Sequence, residues 1–237
     1  MPFPDTLIVA ALKNEVGDLL DKMSVDSTIH FHPAILWQGI LKNKNVAILV
    51  TGIGKERMQK GLEKTFSVFQ PKHVIHIGYA GATSPLVSTG KLIVAETLVD
   101  DTTQIENSPD DTLFKQAASF SDTTGRILTV ETPIENPLEK AALGTKYLCL
   151  AIDMESSACA DLCRKRQIPF VVGRAIFDAL DMPLPSLETN DERGEPQIID
   201  VAKWTLKNPK EILKIPQWQY CAKQARARLT EFALKMI

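Results

Sequence analysis

Short, apolar, β-branched segments alternate with amphipathic helical patterns along this chain, and this alternation limits the folds open to it. Strand-like segments occur at residues 6–12, 34–41, 45–51, 73–77, 91–99, 126–130, 148–152 and 169–176. Helical periodicity lies between several of them, at residues 15–23, 55–68, 137–143 and 155–165. This order is typical of an α/β protein, so we predict a single domain whose mixed, largely parallel, twisted central sheet has helices on both sides.

Length and composition are consistent with one domain and a large core. The chain has 237 residues, and 44% of them are hydrophobic. We assign residues 1–181 to the domain and residues 182–237 to a C-terminal helical extension packed on it, with a Pro- and acid-rich linker at 182–196. No apolar stretch reaches the ~18 residues of a membrane span. Because Lys13 and Asn14 interrupt the first apolar run, it is unlike a signal peptide, and we expect a cytoplasmic protein.

The C-terminal extension is basic. Residues 201–237 contain eight Lys and Arg and two Glu, although the whole chain has a net charge of −2. Its last part is amphipathic, with apolar residues at Trp218, Ala222, Ala225, Leu229, Phe232 and Met236. We interpret it as a helix packed on the domain; the alternatives are peripheral contact with an anionic membrane surface or the lining of a lipid-substrate entrance. A nucleic-acid partner is not expected.

The cysteines do not indicate a metal site. The chain has four, at Cys149, Cys159, Cys163 and Cys221. They form no CxxC pair and have no nearby histidine that would complete a zinc site. We therefore expect reduced core residues and no metal.

Two acidic residues stand where predicted strands end. Glu155 follows the segment 148–152 where a helical pattern begins, and Asp178 follows the segment 169–176. A strand, a crossover helix and a second strand of this length predict a right-handed parallel unit. Both carboxylates would then lie at the carboxyl ends of their strands, where open α/β sheets bind ligands.

A glycine-rich segment connects the strand at 45–51 to a helix. Its sequence is Thr51-Gly52-Ile53-Gly54-Lys55. A dinucleotide site would need a third glycine where the chain has Arg57, and a triphosphate-binding loop would need Ser or Thr where it has Glu56. What remains is a tight turn that aims backbone N–H groups at an anion or a sugar.

Two more segments end at the same predicted edge. A second glycine turn follows the strand ending at Ile77 and reads Gly78-Tyr79-Ala80-Gly81-Ala82. Glu15 lies just beyond the first strand, in the first turn of a helix, where an acid also complements the helix dipole. The sequence thus predicts a site built from five separate segments.

The order of these segments resembles the purine nucleoside phosphorylase and uridine phosphorylase superfamily, and within it the methylthioadenosine/S-adenosylhomocysteine nucleosidases. The matching stretches are IVAALKNEV at 8–16, TGIGK at 51–55, VIHIGYAGA at 74–82, AIDMES at 151–156 and PFVVGRAIFDALD at 169–181. The resemblance implies a nucleoside phosphorylase-like fold, no cofactor, a small-molecule nucleoside substrate and a homodimer or larger homo-oligomer.

It also implies roles for the acids. Asp178 matches the general acid that protonates purine N7, which requires a carboxyl kept protonated by burial. Glu155 matches the acid that binds the ribose hydroxyls, with Met154 packing on the sugar, and Glu15 matches the acid that activates water. Together the three would stabilise a ribosyl cation. The other residues expected to bind substrate are Thr51, Gly52, Gly54, Tyr79, Ala80, Gly81 and Phe177.

Departures from the family pattern concern the nucleophile and the substrate. His76 stands where phosphorylases of the superfamily carry a phosphate-binding arginine, which favours water as nucleophile and leaves phosphate as the alternative co-substrate. Tyr79 and Phe177 replace small residues, which questions methylthioadenosine as the substrate. The long segment after Asp181 is similar to the hopanoid-associated phosphorylase branch, whose expected substrate carries an adenosyl group on a polycyclic lipid.

The resulting hypothesis is a cofactor-free enzyme that cleaves the N-glycosidic bond of a purine ribonucleoside, with an adenosine bearing an apolar 5′ substituent as the expected substrate and water as nucleophile. The alternatives are phosphorolysis in the same pocket and a catalytically silent nucleoside-binding protein.

Overall fold

The computed structural model describes residues 4–182 and 215–237. The strands are β1 (Thr6–Ala10), β2 (Ser24–Phe31), β3 (Ala34–Leu41), β4 (Lys44–Val50), β5 (His73–Ala82), β6 (Leu92–Asp100), β7 (Glu106–Asn107), β8 (Thr123–Thr129), β9 (Ala151–Asp153) and β10 (Phe170–Asp178). The helices are α1 (Lys13–Leu20), α2 (Lys55–Val68), α3 (Asp111–Ala118), α4 (Pro137–Tyr147), α5 (Ser156–Arg166) and α6 (Ile215–Met236). Most of the predicted linker at 182–196 lies outside the described residues.

All ten strands belong to one mixed sheet, part of which closes into a ring. The order is β10-β6-β8-β9-β5-β1-β4-β3-β2, β7 pairs with β6, and an additional β10–β5 pairing closes the ring of β5, β10, β6, β8 and β9. Five pairings are parallel, namely β1–β4, β1–β5, β5–β10, β6–β8 and β8–β9. The other five in the described residues are antiparallel, so the mixed α/β sheet is confirmed but only half of its pairings are parallel.

The predicted right-handed parallel unit around α5 is wrong. β10 pairs with β5 in parallel, whereas β9 pairs with the last two residues of β5 in the antiparallel direction. The two acids meet for a different reason. Gly81 near the end of β5 is in register with Asp178 on one side and with Ile152 on the other. The ends of β9 and β10 therefore converge on the end of β5.

Helices cover both faces of the sheet, as predicted. On one face α2 and α5 pack on the sheet through buried residues such as Leu62 and Cys163. On the other face α1, α3 and α6 contribute Val16, Ala117 and Leu229 to a second core. All four cysteines are buried and free, which confirms their interpretation as reduced core residues.

Helix α6 is an integral part of the second core. Its residues Leu229 and Phe232 are fully buried. Phe232 lies so close to β10 that a Cβ added to Gly173 would be 2.5 Å from its ring. The basic residues Arg226 and Arg228 form ion pairs with Asp18 and Asp122 of the domain. The apolar face is therefore occupied by protein, which supports a packed helix over a membrane-bound one.

Three local predictions differ from the structure. The segment 148–152 forms a strand only from Ala151, because Leu148 adopts a left-handed conformation that ends α4. The acidic segment 100–111 has no predicted strand or helix, but it includes β7 and the Asp110 side chain that caps α3. The second glycine segment is not a turn. It continues β5 as far as Ala82.

Candidate active site

One cavity of about 520 Å³ lies at the converging ends of β5, β9 and β10. Eight of the predicted site residues line it, namely Glu15, Tyr79, Ala80, Gly81, Met154, Glu155, Phe177 and Asp178. The remaining wall is mostly apolar and includes Leu12, Ile53, Val130, Pro133, Ile134, Ile152 and, from α6, Trp218 and Ala222. The structure thus brings both ends of the chain into a single pocket.

Thr51, Gly52 and Gly54 do not line the cavity, so the prediction that they bind substrate directly is corrected. The hydroxyl of Thr51 donates to the carbonyl of Gly52 at 2.9 Å, and the N–H of Gly52 donates to the carbonyl of Ala11 at 2.9 Å. The N–H of Gly54 donates to Oε1 of Glu155 at 2.7 Å. The segment therefore joins β4 to α2 and holds the carboxyl group of Glu155. The hydrogen-bond donors named here already have partners within the protein.

Glu15 is fixed by backbone donors from two elements. Its Oε2 accepts hydrogen bonds from the N–H groups of Ala11 at 3.0 Å and Leu12 at 2.8 Å, and its Oε1 accepts one from Tyr79 at 2.7 Å. The side chain is buried, and burial raises the pKa of Glu15, while the Arg174 charge and these hydrogen bonds oppose the rise. A buried, oriented carboxylate with a raised pKa is suited to accept a proton from water.

Glu155 occupies the N-cap position of α5 and is 6% exposed. Burial raises its pKa to about 8; the Arg174 charge opposes the rise, and the nearby charges of Asp153 and Glu15 add to it. Burial disfavours the ionised form of this carboxyl group, and a positive charge that develops beside it stabilises the carboxylate.

Arg174 is the central cation of the site, although sequence analysis assigned it no role. Its guanidinium is fully buried on β10 and donates from Nε to Asp153 at 2.6 Å, while Nη2 lies 4.0 Å from Oε2 of Glu155. A Cβ added to Gly78 would be 1.8 Å from Nη1 and 3.0 Å from Oε1 of Glu15. Glycine is needed at position 78 because a side chain there would clash with the guanidinium of Arg174 and crowd the carboxylate of Glu15.

His76 is a packed strand residue. It is fully buried in β5, and its Nε2 lies 3.0 Å from Nη2 of Arg174. Burial and the Arg174 charge hold the pKa of His76 well below its ordinary value, so the imidazole is neutral. His76 does not line the cavity, which supports a packed strand residue over a phosphate donor.

Asp178 ends β10 and makes an ion pair with a lysine. Its Oδ2 accepts a short hydrogen bond from Nζ of Lys140 on α4, a side chain with no exposed surface. Burial raises the pKa of Asp178, and the Lys140 charge opposes that rise. A Cβ added to Gly81 would be 2.9 Å from the same Oδ2, so glycine is required here by the close approach of the acid.

The two aromatic replacements form one wall of the pocket. The rings of Tyr79 and Phe177 have centroids 5.7 Å apart and are tilted by 37°. Burial raises the pKa of the Tyr79 phenol, so it is neutral at physiological pH. Its hydroxyl has no hydrogen-bond partner within the described part of the chain.

Sequence reasoning missed Lys140 and Arg174, and it gave Trp218 a site role only in the alternative in which the C-terminal helix lines a lipid-substrate entrance. An arginine within the apolar strand 169–176 is a signal that was present, because charged residues are rarely buried without a partner.

The described residues show no metal-binding arrangement: residues 4–182 and 215–237 contain no group of three or more His, Cys, Asp or Glu placed to hold an ion. Within those ranges, no helix is long and apolar enough to cross a membrane.

The chain matches the phosphorylase superfamily over residues 5–214, and it belongs to that superfamily. A similar curated protein, the 5′-methylthioadenosine/S-adenosylhomocysteine nucleosidase of Staphylococcus haemolyticus, is 26% identical over 193 residues, covering 72% of this chain and 85% of that protein.

Solved structures with the same fold include two nucleosidases of the same description. The one from Neisseria meningitidis, in complex with methylthio-immucillin-A, has a TM-score of 0.75 at 17% identity, covering 98% of this chain and 97% of that chain. The one from Colwellia psychrerythraea, in complex with adenine, has a TM-score of 0.77 at 19% identity, covering 99% and 95%. A futalosine hydrolase mutant of Helicobacter pylori has a TM-score of 0.72 at 17% identity, covering 97% and 98%.

Proposed function

We propose that this protein hydrolyses the N-glycosidic bond of a purine ribonucleoside that carries an apolar 5′ substituent. The observation that carries the proposal is the environment of Glu15. Three backbone N–H groups orient its carboxylate at the cavity wall. A base held in this way can remove a proton from a water molecule as the water attacks C1′.

The other two acids complete the reaction. Glu155, held by the N–H of Gly54, accepts hydrogen bonds from the ribose hydroxyls and stabilises the cation that forms at the sugar. Asp178, on the other side of Gly81, gives a proton to N7 of the purine, so that the base leaves without carrying a full negative charge. No cofactor takes part in this scheme.

Water is preferred over phosphate because the site offers few free donors for an anion. The N–H groups of Gly52 and Gly54 already have partners, and Thr51 donates to a carbonyl. Arg174 is ion-paired with Asp153 and does not line the cavity, although its Nη1 has no hydrogen-bond partner among the described residues. The carboxylate of Glu15, in the ionised form that accepts a proton from water, would also repel a phosphate dianion.

The apolar wall supports the choice of 5′ substituent. Trp218, Phe177 and Ile53 line the cavity together with further apolar side chains. Large apolar surfaces of this kind bind a ligand through burial rather than hydrogen bonds. The three nucleosidases named above are described as acting on methylthioadenosine and S-adenosylhomocysteine, and we propose a 5′-substituted adenosine as the substrate of this protein.

The test is base release from adenosine, methylthioadenosine, inosine and a long-chain 5′-substituted adenosine, each with and without phosphate. We expect phosphate-independent release of adenine, and as the sugar product the ribose that keeps its 5′ substituent, with a free C1′ hydroxyl rather than a 1-phosphate. Glu15→Gln and Glu155→Gln should lower kcat/KM by ~10² or more, whereas Glu63→Gln on the exposed face of α2 is the matched control.

Three results would reject the proposal or part of it. Strict dependence on phosphate would establish phosphorolysis. Tight binding of adenosine analogues without base release, unchanged in Asp178→Asn, would establish a silent binding protein. Near-normal turnover in both glutamine variants would overturn the assignment of the site.

We also propose a homodimer or larger assembly. Leu86, Leu138 and Leu148 are large apolar side chains that are 85%, 80% and 81% exposed. Single exposed apolar side chains also occur on monomers, so the proposal rests on the resemblance to the superfamily, and these three residues are candidates for the contact. Analytical ultracentrifugation would decide the assembly state, and a monomer at micromolar concentration would contradict this proposal.

A further inference from the structure

Lys140 is the buried charge that the proposed reaction does not yet use. Its side chain extends from α4 into the cavity wall with none of its surface exposed, and its ammonium contacts Oδ2 of Asp178. A second, longer contact joins Nζ to the carbonyl of Met182 at 3.4 Å. Lysine is almost never buried completely without a reason in pairing or chemistry.

The pair poses a problem for an acid catalyst. A carboxylate that is paired with an ammonium is stabilised in its ionised form and has no proton of its own to give. The pair as a whole still holds one transferable proton. This is true whether the proton is written on the lysine as an ammonium or on Asp178 as a carboxylic acid, because both forms have the same net charge.

We propose that Lys140 is a positioning residue that stores the proton which Asp178 passes to the purine, so that the two side chains act as one acid. This inference rests on the role proposed for Asp178. Lys140 lies in the cavity wall but has no exposed surface, so we assign it an effect through the carboxyl group of Asp178 and no contact with the substrate.

The proton and electron balance is simple. A proton first moves from the Lys140 ammonium to the Asp178 carboxylate. As the C1′–N9 bond breaks, its electron pair moves to the purine and N7 takes this proton from Asp178, which leaves a carboxylate beside a neutral amine. The water oxygen bonds to C1′, and the water proton goes to Glu15. After the products leave, solvent returns a proton to the lysine and accepts one from Glu15.

The surroundings of the pair determine which other groups influence its titration. Helix α6 faces the cavity with Trp218 and Gln219, which carry no charge. The titratable groups in the same wall come from α1, β5, β9 and the start of α5, and they are Glu15, Tyr79, Asp153 and Glu155. Of these, the acids would disfavour a further negative charge on Asp178, which strengthens the need for a cation beside it.

The first measurement is the pH dependence of kcat for Lys140→Met. In the wild-type protein Lys140 supplies the proton to Asp178, so activity should persist to a higher pH than in a variant without the lysine. Without the lysine, Asp178 must hold its own proton, and activity should fall at a pH lower by about one unit or more. Lys146→Met on the exposed face of the same helix is the matched control.

The second measurement uses Lys140→Arg, which keeps a positive charge but cannot give up its proton in the accessible pH range. If storage of the proton is the role of Lys140, arginine does not replace lysine, and Lys140→Arg should cleave the nucleoside ~10²-fold more slowly than the wild type. Wild-type rates with arginine would show that charge alone is sufficient and would overturn the proposal. An unchanged alkaline limb in Lys140→Met would also overturn it.

A substrate with an activated leaving group separates this role from misfolding. p-Nitrophenyl β-D-ribofuranoside releases its phenolate without protonation, so its cleavage by Lys140→Met should stay within about threefold of the wild-type rate if only acid catalysis is lost. Equal losses on both substrates would show a structural role and reject the proposal. If Asp178→Asn retains nucleoside cleavage, the proposed function itself fails, which is a different outcome from failure at Lys140 alone.

Discussion

The carboxylate of Glu155 accepts a 2.7 Å hydrogen bond from the backbone N–H of Gly54, a residue 101 positions earlier in the chain. This bond fixes the acid that we assign to the ribose, and it depends on an unusual backbone conformation. Gly54 has a φ of 100°, in the region that favours glycine.

Replacing Gly54 with alanine should therefore weaken sugar binding without a steric clash. A Cβ at this position would have no atom within 4 Å, so the effect comes from the backbone alone. We expect a loss of ~1–2 kcal/mol in the free energy of unfolding and a higher KM for the nucleoside. Gly17→Ala, inside α1 and also free of contacts, is the control and should be neutral or slightly stabilising. Equal kinetics in the two variants would contradict the role of the Gly54 bond.

Gly81→Ala tests the close approach of the acid to β5. The new methyl group would be 2.9 Å from Oδ2 and 3.2 Å from Oδ1 of Asp178, so the carboxyl must move. Since catalysis is sensitive to displacements of about 1 Å, we expect kcat to fall by ~10²-fold. Circular dichroism should show a folded protein, and an unchanged kcat would show that Asp178 does not need its present position.

Removing Arg174 should destabilise the protein strongly. Arg174→Met leaves the buried carboxylate of Asp153 without its ion-pair partner, and breaking a buried pair in this way costs ~3–5 kcal/mol. The double variant Arg174→Met with Asp153→Asn should lose less stability than the sum of the single changes. Denaturant unfolding of the four proteins provides the cycle, and strict additivity would show that the two groups are not coupled.

The stability of the protein should depend on pH through Glu155. Its pKa rises from 4.5 to about 8 on folding, mainly because of burial. The folded state therefore binds a proton more tightly than the unfolded state, and its contribution to stability is present below pH 4.5 and is lost as pH rises through about 8. Glu155→Gln removes this dependence, so the variant should gain stability relative to the wild type between these two pH values. If the difference in melting temperature between the wild type and Glu155→Gln is the same at both pH values, the result contradicts a raised pKa of Glu155.

Trp218→Ala tests whether α6 selects the 5′ substituent. Loss of its apolar surface should raise KM for a long-chain 5′-substituted adenosine by roughly tenfold, while adenosine itself is affected little. Tyr220→Ala on the exposed side of the same helix is the control. The same change in KM for both substrates would mean that Trp218 does not contact the 5′ group.

Sequence patterns located the acids because each follows a recognisable strand or starts a recognisable helix. Glu15 lies in the first turn of α1 and Asp178 at the end of β10, as expected. The direction of β9 was not predictable in the same way. Only two of its residues pair with β5, so the choice between parallel and antiparallel pairing depends on closure of the whole ring rather than on local periodicity.

Lys140 was missed because its local pattern is that of a surface residue. It lies in a helix between Glu139 and two alanines, and a lysine in such a place normally extends into solvent. Its burial is decided by the position of α4 against the end of β10, a tertiary relationship. The glycines of β5 were misread as a turn for a similar reason, because Gly78 and Gly81 serve to admit Arg174 and Asp178.

The packing of α6 has a consequence for how substrate preference can change. Phe232 of this helix presses on β10, the strand that ends in Asp178, while Trp218 of the same helix lines the cavity. A substitution that tilts the helix to admit a bulkier nucleoside would also shift the strand that carries the acid. New specificity is therefore easier to reach by trimming side chains at the cavity end of α6 than by moving the helix.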